Sequence, residues 1–239
     1  EREALLQRQY ELHKQQPQSE STPRDDHAEP GGPSQAPSDR LLGLLVELSR
    51  LRPTDDALLH EQQQLLLSRS ELAKARAIAE QRRVLAEQQG AEPAILAERF
   101  LAVARLDLEL GSFAAAEAAL EQVLTRAPSS ADALRTLVDL HQRTANHSGL
   151  VAALVRLSSQ QTDLEAAVGS LKQAAQVTLA TQDDSEAAEK LLGEALQRVD
   201  AAPAVTPAQK ELVRRALGQV LVPLFELARQ KGRTEEAQA

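Results

Sequence analysis

LELGSFAAAEAALEQVLTRAP, residues 108–128, contains the end of one helix, a Gly turn, a second amphipathic helix and a Pro stop. It reads as a helical hairpin. In its second half Ala116, Leu120, Val123 and Leu124 recur at the 3.6-residue period and form one apolar stripe, while Glu117, Glu121 and Arg126 lie mostly elsewhere. Gly111 suits the turn, because a residue without Cβ takes a positive φ at no steric cost. Pro128 cannot continue the second helix. The punctuation recurs: Pro53, Pro93, Pro128 and Pro203 stand 40, 35 and 75 residues apart, the last interval being about two of the first kind. A period in this range marks a solenoid, in which each hairpin buries its apolar face against its neighbours.

The composition of the 239 residues agrees. Ala and Leu make up about a third of the chain and aromatics only 2%, so helices can approach closely over Ala while Leu fills the gaps. A deep aromatic cofactor pocket is not expected, and no cofactor is assigned. The net charge of -8 opposes sequence-independent binding to nucleic acid, which needs clustered Lys and Arg. Without Cys there is neither a disulfide nor a thiolate metal site, and the compartment stays open. The longest apolar runs, Leu41 to Val46 and Val220 to Phe225, fall far short of the roughly 20 residues of a membrane span. No Gly-rich phosphate loop, nucleophile elbow or catalytic Cys occurs, so no enzyme activity is expected.

Residues 1–15 carry Leu5, Leu6, Tyr10 and Leu12 at helical spacing and are read as the end of a preceding helix. Residues 16–38, with five Pro and many Ser, Gln and Asp, cannot bury apolar surface and are read as a disordered linker or inserted loop. From residue 39 to 239 the chain reads as a helical repeat array, with helices over 39–51, 55–68, 70–89, 93–110, 113–126, 130–144, 147–160, 163–181, 185–201 and 207–230. Pro223 should kink or split the last. Thr162 with Glu165, Ser68 with Glu71, and Thr206 with Gln209 have the spacing of reciprocal caps, each worth about 1 kcal/mol. The pair Asp183 and Asp184, just before Ser185, is expected to cap and charge a helix start. The absence of Met and of a leader pattern, and the helix opening cut off in residues 228–239, suggest a fragment of a larger protein.

Residues 97–130 resemble a tetratricopeptide repeat (TPR), through Phe100, Gly111, Phe113, Ala116, Leu120 and Pro128. The departures are Ala104, where the family often has Gly, and Asp107, where it often has Tyr. Residues 131–163 fit more loosely, with Ala145 where a turn Gly is common, and 185–203 look like another second helix. The resemblance implies an all-α, right-handed α-solenoid of antiparallel hairpins whose first helices line a concave surface for a partner peptide or helix. On that surface it would place Arg105 and Glu109, followed by Arg135, Asp139, Gln142 and Arg143, the last four spaced to share one helical face. The arginines could take a partner's carboxylates in bidentate contacts. The fuller Lys and Asn clamp of some family members is absent. His141 and His147, six residues apart without a Cys, Asp or Glu at ligand spacing, do not suggest a metal site. The implied function is a non-catalytic protein-interaction scaffold. The alternatives are a structural spacer, a self-associating rod (hence a possible homo-oligomer), or a regulatory arm of a larger enzyme.

Overall fold

The computed structural model describes residues 2–15, 37–182 and 184–201, with residues 207, 210, 211, 214, 215 and 218. The described residues form ten α-helices and no strand: α1 Arg2–Gln15, α2 Pro37–Leu51, α3 Asp56–Ser68, α4 Leu72–Gln88, α5 Pro93–Glu109, α6 Phe113–Arg126, α7 Ala131–Arg143, α8 His147–Gln160, α9 Leu164–Gln182 and α10 Ser185–Ala201. Two compact units follow from the contacts, Glu1–Ala119 and Leu120–Ala239. All but the last of the segments read as helix from residue 39 onward are present within two residues at either end. The stretch read as a linker lies outside the described residues except for positions 37 and 38, which open α2. Pro37 fits there because a first helical residue needs no intrahelical N–H partner. The helix expected over 207–230 lies largely outside the described residues.

In the first unit α1 packs on α2, α2 on α3, α3 on α4 and α4 on α5. Tyr10, Leu45, Leu48 and Leu58 form one cluster, and Leu66, Ala75, Ala79, Val103 and Leu106 the next. Ala75 and Ala79 are fully or nearly fully buried, and their small side chains bring α4 close to its neighbours. Of the apolar residues noted in α1, Tyr10 is buried, whereas Leu5 and Leu12 are exposed. In the second unit α7 packs on α8, α8 on α9 and α9 on α10, around Leu150, Leu154 and Ala174, then Val168, Leu171, Ala188, Leu192 and Ala195.

Four turns share one construction. The N–H groups of Ser70, Gly90, Gly111 and Ala145 bond to the carbonyls of Leu67, Glu87, Leu108 and Gln142, and those of Glu71, Ala91, Ser112 and Asn146 to Leu66, Ala86, Asp107 and His141. These paired bonds are the Schellman termination, which needs a left-handed residue. Gly90 and Gly111 supply it at φ +65° and +74°, but Ser70 and Ala145 adopt it at +58° and +51° despite their Cβ atoms. Left-handed backbone costs a non-Gly residue about 1–2 kcal/mol, against about 0.5–1 kcal/mol for the extra unfolded-state freedom of Gly. Ser70→Gly and Ala145→Gly are therefore each expected to stabilise by about 0.5–1 kcal/mol in urea unfolding, and Gly90→Ala and Gly111→Ala to destabilise. A Cβ at either Gly would meet no atom within 4 Å, so the backbone alone sets that result.

The helix starts correct the expected caps. Ser68 ends α3 and donates to the Leu65 carbonyl, while α4 begins after Glu71, whose side chain makes no cap bond. At α9 the Asp163 carboxylate accepts from Ala166 N–H, a position Thr162 lies one residue too early to fill. Asp55, Ser130 and Asn146 cap α3, α7 and α8. Asp184 caps α10 by accepting from Ala187 N–H, as expected. Asp183, Thr206 and Gln209 lie outside the described residues.

Candidate functional site

The repeat signature does what its residue types require. Gly111 makes the turn, Ala116 and Leu120 are fully buried in α6, and α6 stops two residues before Pro128. Phe113, half-buried, opens α6. Phe100 on α5 carries the Arg83 guanidinium 4.9 Å above its ring, with Glu80 and Glu87 holding that guanidinium along α4. Cation and ring are worth about 0.5–1 kcal/mol when exposed and more when desolvated. At the departures, Ala104 is fully buried and Asp107 is 3% exposed. Arg76 of α4 answers Asp107 with a fork, Nε to Oδ1 at 2.9 Å and Nη2 to Oδ2 at 3.2 Å.

Arg105 and Glu109 lie one turn apart on α5 and are both exposed. Arg135, Asp139, Gln142 and Arg143 are all exposed on α7, whose other face buries Ala133, Leu134, Thr136, Leu140 and His141. The structure thus brings the last four onto one solvent-facing stripe. Arg135 reaches Asp132 at 2.8 Å with 58% of its side chain exposed, and Arg143 lies 4.0 Å from Asp139. Surface pairs of this kind are worth about 0–1 kcal/mol, so a partner carboxylate could displace them. α5 belongs to the first unit and α7 to the second.

Where the stripe ends, Gln142 shares a groove of about 340 Å³ with Ala145, His147, Leu150, Gln173 and Val177. Sequence reasoning missed this groove, since its walls come from three successive helices, α7, α8 and α9, and the period of one helix does not show how they pack together. His141 is a packing residue. A Cβ on Gly149 would come 2.7 Å from its ring and 2.8 Å from the Asn146 amide, so Gly149 is the space that ring occupies. Among the described residues no three His, Cys, Asp or Glu side chains are grouped as a metal would need, and no helix is long and apolar enough to cross a membrane.

Missed as well is a polar cluster in the first unit. Arg82, 6% exposed, forks onto Asp56 of α3 at 2.7 and 3.0 Å, and its Nη1 also bonds Gln63 at 2.8 Å. The same Nη1 lies 2.9 Å from His60 Nδ1, and Arg99 of α5 reaches the second Asp56 oxygen at 2.9 Å. Hydrogen bonding from Arg82 holds the Asp56 carboxyl below its ordinary range. Partial desolvation, then the Arg82 charge, holds His60 below its ordinary 6.5. A signal existed: Arg82 follows Ala75 and Ala79 on the apolar stripe of α4, where a charge must find a partner.

No protein-family model and no curated protein matches the chain. Solved structures of helical-repeat proteins do. A MamA RS-1 double mutant superposes with a TM-score of 0.52 at 13% identity, over 85% of this chain and 97% of that one. Another MamA structure gives 0.51 at 16%, over 71% and 89%. MamA residues 41 to the end from Desulfovibrio magneticus RS-1 give 0.50 at 13%, over 84% and 97%. The chain has a TPR-like fold. That TPR-like architecture accounts for the repeated hairpins and for one signature clear enough to read near residues 97–130, and at these identities it is the fold alone that is shared.

Proposed function

We propose that the chain is a non-catalytic protein-interaction scaffold that holds an acidic peptide or helix of a partner protein on the exposed faces of first-of-pair helices. The observation that carries this reading is α7. Its exposed stripe of Arg135, Asp139, Gln142 and Arg143 leads to a groove with Leu150 and Val177 in its walls. Charged groups beside an apolar depression suit a segment with carboxylates next to an aliphatic anchor. Arg105 and Glu109 of α5 offer a second polar face of the same kind. Affinity would come from many modest contacts on a preformed surface.

The test is selection of a displayed peptide library on the full chain, with calorimetry of the enriched peptides against parent and an Arg105→Glu, Arg135→Glu, Arg143→Glu variant. Circular dichroism first establishes that the variant folds. Acidic peptides should be enriched and bind the variant at least tenfold more weakly, since a hydrogen bond to a charged group contributes about 1.5–3 kcal/mol. Equal affinity for both chains, or no enrichment, would overturn the reading and leave the structural spacer.

A further inference from the structure

We infer that His60 is an acid-sensitive latch in the polar clasp that ties α3 to α4 and α5. The inference starts from one contact. Arg82 Nη1 can only donate, so a His60 Nδ1 at 2.9 Å must be the acceptor. The imidazole is then neutral, with its proton on Nε2. Taking up a second proton turns Nδ1 into a donor facing a donor, and puts a third cation beside a single carboxylate.

The ionisable groups facing His60 are Asp56 on its own helix, Arg82 from α4 and Arg99 from α5. Neighbouring α2 meets α3 through a hydrogen bond between Ser49 and Gln62, neither of which titrates. Arg82 has little freedom to retreat, because it is 6% exposed and already committed to Asp56 and Gln63. His60, which is exposed, is the group that must swing out. Its departure leaves one Nη1 hydrogen bond unmade and the α3–α4 seam less constrained. Asp56 stays ionised in this range, since Arg82 holds its carboxyl low.

The sign follows. A folded-state His60 pKa below 6.5 means that the unfolded or opened chain takes up the proton first. The stabilising contribution is complete above about pH 6.5 and is lost as the pH falls through the folded value. Glu61 next door, raised by burial and 2.6 Å from Lys14, also begins to titrate on acidification. A control at position 60 must therefore separate the two.

The experiment is amide hydrogen exchange of the full chain at about pH 7.5 and 5.5, either side of the unperturbed histidine value, corrected for intrinsic rates and repeated on His60→Gln. The second variant, His60→Ala, has no group to misplace. In the parent, protection across 56–68 and 72–88 should fall several-fold more at the acid pH than it does in either variant. An equal fall in parent and variants would assign the effect to Glu61 or another group and overturn the inference, as would unchanged protection in the parent.

Discussion

Arg76→Ala is expected to lower the unfolding free energy by about 3 kcal/mol, the scale on which removal of one partner strands a buried charge. Asp107 is the charge left behind. It is 3% exposed on α5, and Arg76 donates two side-chain hydrogen bonds to its carboxylate. Little of the loss comes from packing, since the Arg76 side chain is itself 35% exposed. The asymmetry of the pair makes the check sharp. In Asp107→Leu the remaining guanidinium can turn to water and the apolar side chain enters a buried position, so the loss should be nearer 1 kcal/mol. Urea unfolding of both variants would reject this account if Asp107→Leu proved the more damaging.

Asp56→Ala should cost a similar amount for the opposite charge. Asp56 is the carboxylate that both Arg82 and Arg99 fork onto or reach, and Arg82 is 6% exposed. Without it the Arg82 guanidinium keeps only the neutral Gln63 and His60 as partners, a loss on the order of 3 kcal/mol. Arg82→Met should be milder, about 1–2 kcal/mol. It leaves a carboxylate that is 39% exposed and still held by Arg99, and Met fills much of the vacated volume. Thermal or urea midpoints that rank Arg82→Met below Asp56→Ala would show that the clasp is governed by burial of Asp56 instead.

These two charge clusters sit where sequence reading ran out. Asp107 stood out as a departure from the repeat pattern, whereas Arg82 was not singled out although it lies on the apolar stripe of α4, and neither position names its partner. Arg76 is 31 residues from Asp107 and Arg99 is 43 from Asp56. Such pairs are made when helices from different hairpins come to lie side by side. The caps were misread for a related reason. Ser68 and Thr162 have the right spacing to an acid, yet each helix starts where a nearer Asp or the preceding turn fixes it, and spacing does not rank those competitors.

The stripe on α7 was legible because all four residues belong to one helix and the 3.6-residue period places them on one side. The groove at its end was not, because Leu150 and Val177 come from α8 and α9. Local chemistry alone determined that the described elements are helices, where their hairpins turn, and that Gly111 makes the turn a left-handed residue requires. It could not say that Ser70 and Ala145 would adopt the same turn at the cost of strain. Which charges are buried, what answers them, and where the apolar groove opens were decided by tertiary packing. Desolvation and charge pairing depend on neighbours in space, and the sequence period carries only the neighbours along the helix.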